Sequence, residues 1–163
     1  MSDYVITTDS NSDVLPEFIK ENSLTIIPQY YSFGDTVYGD ELNMPPHEFY
    51  ETMRKGELPK SQANNPAVIR ERFEKILKDG KNIFHIAFSS ALSGSCSNVI
   101  MTANELLEEY PERKITVFDS LNASLGEGVS VYRAVELWKK GKSMEEVCDI
   151  LTEEREHVNV SFT

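Results

Sequence analysis

Ile83-Phe84-His85-Ile86-Ala87-Phe88 runs directly into Ser89-Ser90-Ala91-Leu92-Ser93-Gly94-Ser95. The first six residues are an apolar, strand-like run. After the second stretch comes a helical pattern with Val99, Ile100, Ala103, Leu106, Leu107 and Tyr110 on one stripe. The small hydroxyl-rich turn therefore joins a buried strand to a helix start. Free backbone N–H groups and side-chain hydroxyls gather there, and the helix end adds a partial positive charge, so the turn favours an anion. It contains no Lys, Arg, His or carboxylate. Neutral donors, rather than an ion pair or a metal, would hold that anion.

The same alternation continues outward in both directions. Residues 4–8 read as a strand, broken by Asp9-Ser10-Asn11-Ser12-Asp13. Ser12 or Asp13 is placed to cap a helix with Val14, Leu15, Phe18 and Ile19 on its apolar face. Residues 24–31 read as a second strand, and residues 33–38 as a small hairpin around Gly34-Asp35. Pro45 and Pro46 open a helix through Arg54, closed by Gly56. Residues 58–65 read as an irregular loop. Asn65 then caps a helix with Pro66 in its first turn and Ile69, Phe73, Ile76 and Leu77 inward. Downstream, a strand over residues 114–118 precedes a helix that ends at Gly141. Ser143-Met144-Glu145-Glu146 has the spacing of a capping box. Residues 158–163 alternate as a terminal strand.

Strands alternating with helices predict an α/β fold: a mostly parallel sheet covered on both faces. Ligands of such sheets bind beyond the carboxyl ends of the strands. The turns at residues 8–13, 89–95 and 119–124 all follow strands and so share one rim. Ser, Asn and Asp also favour turns and caps on their own account, so each turn reads equally as a helix cap.

Composition narrows the function. With 16 Lys and Arg against 27 Asp and Glu, the net charge is −11, which gives no global attraction to nucleic acid or to an anionic membrane surface. The Glu-rich runs over residues 105–112 and 145–156 read as solvated helix faces. Cys96 and Cys148 lack the spacing of a zinc site and read as reduced thiols. No stretch approaches a membrane span or a secretory signal, so the expected location is cytoplasmic. Asp9 and Asp119 end strands on the rim without a third ligand at metal-binding spacing. No metal site and no cofactor are expected.

The turns carry a resemblance. Thr8-Asp9-Ser10-Asn11-Ser12-Asp13-Val14, Ile27-Pro28, Asp40-Glu41, Pro59-Lys60-Ser61-Gln62 and the turn from Ser89 to Ser95 stand in the order and spacing of DegV-family proteins. Asp119-Ser120, Ala123-Ser124 and Gly126-Glu127-Gly128 complete the set. Each motif is weak alone; together they are specific, and the resemblance covers essentially the whole chain. It implies a three-layer α/β/α domain over residues 1–163. It also implies bacterial fatty-acid binding, with no catalysis by the chain itself. The acyl carboxylate would be presented to a separate dihydroxyacetone-kinase-like subunit that uses ATP. Carried over position by position, the carboxylate binders are Ser61 and Ser93 with Gly94, and Gln62, Ser120 and Ala123 join the ligand site. The family usually has Thr, Ser and Gln after Pro-Lys. Here Ser61 takes the Thr position, keeping the hydroxyl and losing a methyl. The family's second half, which supplies the other part of the lipid cleft, is absent from these residues. An exposed apolar face and self-association are expected in consequence.

A fatty acid suits the turn chemistry. Burying about fifteen methylenes gains on the order of 12 kcal/mol before ordering costs. A hydroxyl bond to the carboxylate adds only about 1.5–3 kcal/mol. The tail thus supplies affinity, and the hydroxyls supply recognition. Two alternatives stand beside this reading. A serine hydrolase using Ser93 needs a histidine base, and the sequence lacks the GxSxG elbow; His85 lies in a buried strand, and His47 and His157 have no companion motif. A non-catalytic interaction module needs only that the turns cap helices. Gly126-Glu127-Gly128 is too short for a nucleotide fingerprint.

Overall fold

The computed structural model describes residues 3–161. β1 (Tyr4–Asp9) is buried except for the half-buried Val5. It ends in a 3₁₀ turn at Ser10–Ser12, after which Asp13 takes a left-handed conformation at φ 53°. α1 (Pro16–Glu21) starts at Leu15 with no side-chain cap, so neither Ser12 nor Asp13 plays that part. The Ser12 hydroxyl instead turns inward, donating to the Asp9 carbonyl at 2.8 Å. Pro16, with φ already fixed near helical values, sets the first turn without a cap.

The strand expected over residues 24–31 is two strands. β2 (Thr25–Ile27) ends at Pro28, which has no N–H to continue a ladder, and β3 (Tyr30–Phe33) belongs to a different sheet. β4 (Thr36–Tyr38) returns antiparallel to β3 around Gly34 at φ 54°, the expected hairpin. α2 (Pro46–Arg54) ends before Gly56 at φ 97°. The expected irregular loop contains β5 (Lys60–Gln62), antiparallel to β3 with Ser61 opposite Tyr31 and Gln62 opposite Tyr30. Three exposed polar residues show no alternation. They form a strand because β3 offers a free edge.

α3 (Pro66–Lys78) is capped by the Asn65 side chain, which accepts from Ala67 N at 2.9 Å. β6 (Asn82–Ala87), α4 (Ser95–Glu109), β7 (Ile115–Asp119), α5 (Leu125–Lys139) and α6 (Met144–Arg155) follow as expected in type and order. The α4 stripe is narrower than its sequence pattern. Val99, Ala103 and Leu106 are buried, whereas Ile100 is 44% exposed. At α6 the Ser143–Glu146 capping box is complete.

The main sheet has the order β2-β1-β6-β7 and is wholly parallel. Side chains alternate across it. Ile6, Phe84, Ile86 and Phe118 face α5 and α6, with Phe18 and Ile19 of α1 at the margin. Ile27 and Ile83 face α3 and α4, where Phe73, Val99 and Leu106 are fully buried. The result is a three-layer α/β/α fold. A small antiparallel sheet, β4-β3-β5, is linked to it by Arg72 of α3, which donates to the Ile26 carbonyl and pairs with Asp40 at 2.5 Å.

The terminal strand expected over residues 158–163 is not formed at residues 158–161, and residues 162–163 lie outside the described residues. A strand needs a ladder partner. This segment instead lays Val160 on Gly126 of α5, where an added Cβ would stand 2.1 Å from the Val160 side chain.

Candidate functional site

Parallel pairing of β1, β6 and β7 brings their carboxyl ends to one edge, and the three turns meet there. Ser89 N donates to the Asn122 carbonyl at 3.0 Å, and Ser120 N donates to the Ala87 carbonyl at 3.1 Å. Asp119 Oδ1 accepts from the backbone of Ser90 at 3.2 Å and of Leu121 at 3.1 Å. From the end of β1, Asp9 Oδ2 accepts from Phe88 N at 2.8 Å. These bonds fix the start of the Ser89–Ser95 turn from both sides.

Ser93 lies half-buried at the far end of that turn. Its Oγ is 2.9 Å from Ser95 Oγ and accepts from Ser95 N at 3.1 Å. Ser95 is fully buried; its Oγ donates to Gln29 Oε1 at 2.8 Å and accepts from Asn64 N at 3.3 Å. A hydroxyl has one proton. Ser95 gives that proton to Gln29, so the Ser93–Ser95 contact is made with the Ser93 proton. Ser93 therefore carries the one hydroxyl proton in this group that can turn to a ligand without stranding another partner.

Gly94 is the N-cap of α4, with φ −70° and no side-chain cap on the helix. Its backbone suits any residue, and none of the described residues lies within 4 Å of where a Cβ would stand. Neither strain nor packing requires glycine there. The gap beside Ser93 lies at the N-terminal end of a 15-residue helix, whose first N–H, that of Ser95, is held by the Ser93 hydroxyl.

Ser61 and Gln62 lie exposed on β5, in the small sheet. No hydrogen bond joins Ser61 to Ser93 among the described residues. Their loops nevertheless meet through Asn64, which donates from Nδ2 to the Ser95 carbonyl at 3.2 Å. Asn98 Nδ2 holds the other side of Asn64, at 3.1 Å to its carbonyl and 3.2 Å to Oδ1. Three residues of extended chain span at most about 10 Å, so Ser61 stays close to the mouth of α4. Ser120 and Ala123 sit elsewhere on the rim. The Ser120 hydroxyl is engaged within its own turn, to the Asn122 carbonyl at 3.2 Å and from Asn122 N at 3.1 Å. The Ala123 carbonyl accepts from Gly126 N at 3.0 Å. Neither is hydrogen-bonded to Ser93 among the described residues.

The hydrolase alternative needs a histidine on Ser93. The Ser93 partner is Ser95. His85 is buried, with Nδ1 2.9 Å from Thr7 Oγ1 and its ring edge-on to Phe73 at 5.6 Å. His47 lies on α2 and His157 beyond α6, both exposed. Gly126-Glu127-Gly128 is not a phosphate cradle but the first turn of α5 packed tightly. A Cβ on Gly128 would stand 2.5 Å from the Ser12 carbonyl oxygen. Glu127 between them is fully buried and accepts from Thr8 Oγ1 at 2.9 Å. Burial first, then the neighbouring Asp9, pushes its carboxyl up to about 9. Among the described residues no group of three or more His, Cys, Asp or Glu is placed to hold a metal, and no helix is long and apolar enough to cross a membrane.

Gln29, Asn64, Ser95 and Asn98 form the body of this site, and sequence reading singled out none of them. Their only signal is position: Gln29 follows Pro28, Asn64 precedes the helix-capping Asn65, and Ser95 lies in a turn already rich in serine.

The DegV family model matches residues 3–163 of the chain. A DegV domain-containing protein of Clostridium perfringens is 33% identical over all of this chain and 57% of its own length. One from Lactococcus lactis is 32% identical over 92% of this chain and 53% of its own length. The chain thus spans a little over half the length of these relatives. Among solved structures, a fatty-acid-binding DegV-family protein from Thermus thermophilus superposes with TM-score 0.84 at 28% identity, covering 94% of this chain and 53% of that one. A stearic-acid-binding protein from Eubacterium ventriosum does so with TM-score 0.85 at 26% identity, covering 91% of this chain and 52% of that one. Motif order, parallel sheet and these matches agree: the chain belongs to the DegV family.

Proposed function

We propose that this chain forms the carboxylate-holding part of a long-chain fatty-acid-binding protein, with Ser61 and Ser93 as the hydroxyls that meet the head group. The observation that carries this reading is the Ser93–Gly94 corner. There a redirectable hydroxyl proton, a helix N-terminus whose N-cap residue has no side chain and an unfilled gap coincide. A carboxylate fits because the corner offers donors without a cation. The acidic chain opposes an anion at long range, so local N–H groups must supply the attraction. The fatty acids named for the Thermus and Eubacterium relatives support the same ligand class.

In this reading Gly94 leaves the room, and Gln62, Ser120 and Ala123 line the rim beside the head group. Residues 1–163 act as one α/β unit that forms one wall of the cleft. The bound acid is presented by its carboxylate to a separate kinase subunit in the cytoplasm, which phosphorylates it with ATP, and the chain itself takes no cofactor and performs no catalysis.

Titration of the purified protein with oleate tests the proposal. Saturable binding is expected, weakened about tenfold or more in Ser93→Ala, the effect of losing a charge-assisted hydrogen bond. Unchanged affinity in the Ser61→Ala/Ser93→Ala double variant rejects the head-group assignment. Acyl phosphate formed from ATP and oleate without a second subunit rejects the division of labour.

A further inference from the structure

Asp9 is fully buried beneath the rim, and its side chain is shared between the two loops that carry the head-group hydroxyls. Oδ2 accepts from Phe88 N at 2.8 Å, at the entry to the turn that carries Ser93. Oδ1 takes a longer contact, 3.5 Å, from Asn64 Nδ2, three residues after Ser61. The same Asn64 amide group donates to the Ser95 carbonyl at 3.2 Å, which closes a triangle of β1, the β5–α3 loop and the start of α4. Behind Asp9, His85 Nε2 lies 3.8 Å from Oδ2, buried and without a hydrogen-bond partner among the described residues, while His85 Nδ1 is held by Thr7. The backbone of Asp9 is fixed as well, since the Ser12 hydroxyl donates to its carbonyl at 2.8 Å.

From this arrangement we infer that Asp9 is a positioning residue, which sets the spacing between the Ser61 loop and the Ser93 turn without touching the ligand. The inference rests on the carboxylate site proposed above. A site made of neutral hydroxyls on two loops works only if the loops stand at a fixed separation, because each bond to the carboxylate needs a heavy-atom distance near 2.7 Å and good alignment. Backbone bonds of the main sheet do not reach β5, which pairs with β3 in the small sheet. Asp9 and Asn64 cross that gap. A buried acceptor is suited to the task, since it has no water to compete for its donors.

Head-group selectivity, rather than stability, reads this role. The test is to measure the affinities of the full chain for oleate and for oleyl alcohol, by competition with a fluorescent fatty-acid probe. The two ligands share a tail and differ in the carboxylate. The unaltered protein is expected to prefer oleate. In Asp9→Ala that preference falls about tenfold, the equivalent of one good hydrogen bond, while the alcohol affinity is unchanged. Asp9→Asn retains part of the preference, because its amide oxygen still accepts from Phe88 N. Should Asp9→Ala fail to fold, Asn64→Ala takes its place and is expected to lower the same ratio. An oleate preference preserved in the folded variants, or both ligands weakened in equal proportion, overturns the positioning role alone. No preference in the unaltered protein overturns the carboxylate site and the positioning role together.

Discussion

The hydroxyl of Thr8, at the end of β1, donates at 2.9 Å to a carboxyl oxygen of Glu127, which the first turn of α5 carries into the core without any exposed surface. Burial and the nearby Asp9 raise this carboxyl from 4.5 to about 9. The folded state therefore keeps a proton that the unfolded chain releases. The contribution of this group to stability is full below about pH 4.5, declines as the pH rises, and is gone above about 9. The expected slope is at most about 1.4 kcal/mol per pH unit. Glu127→Gln keeps an acceptor for Thr8 and has nothing to titrate. Denaturant melts at pH 5 and pH 8 are expected to show stability falling in the parent protein and a smaller fall in the variant. Equal falls in both would place the titration elsewhere.

Two glycines near the rim separate packing from ligand space. Gly128→Ala drives a methyl toward the Ser12 carbonyl, 2.5 Å away, and is expected to destabilise the fold by about 1–3 kcal/mol. Gly94→Ala meets nothing within 4 Å and is expected to leave the melting midpoint in place. Its methyl occupies the gap beside Ser93, so oleate affinity should drop. Thermal melts paired with a binding titration of each variant check both halves.

Ser93 and Ser95 differ by two positions and in role. Ser95→Ala strands Gln29 Oε1 and Asn64 N, which costs about 1–3 kcal/mol of stability. Ser93 is half-buried and, among the described residues, its hydroxyl bonds only to Ser95, so Ser93→Ala strands one group, Ser95 N, and should cost less, on the order of 1 kcal/mol. Its effect belongs to oleate affinity. Chemical denaturation of the two variants side by side should rank them in that order.

The thiols should react in a set order. Cys96 is buried at the start of α4, and burial, then Asp119 and Asp9, pushes its thiol up to about 11. Burial raises Cys148 too, but that side chain is only partly buried. With an aromatic disulfide reagent at pH 8, Cys148 should react about tenfold faster than Cys96 or more, since the thiolate must form and be reached. Denaturant should abolish the difference. Faster reaction of Cys96 in the native protein would contradict its burial.

Local rules made much of this fold legible. The apolar run ending at Phe88, the Asn65-Pro66 start, the Ser143–Glu146 box and the glycines at 34, 56 and 141 each act within a few residues. Their outcome depends on backbone geometry near at hand, so the sequence alone locates most of the helices and the strands of the main sheet, and shows that this sheet is parallel with its turns on one rim. It also marks Ser93-Gly94 as the corner between β6 and α4.

Long-range pairing decided what local rules could not reach. Lys60-Ser61-Gln62 has no strand signal and becomes β5 because the β3 edge is open to it. Residues 158–161 have the alternation and, among the described residues, no ladder partner, so they stay irregular against Gly126. The buried and half-buried set of Asp9, Gln29, Asn64, Ser95 and Asn98 comes from four separate segments. Each residue alone is an ordinary polar turn or cap position. Only when the parallel sheet stacks the strand ends do these groups come within hydrogen-bond reach of one another. That network leaves Ser93 with a proton free to turn, a property of tertiary structure written in no single stretch of the chain.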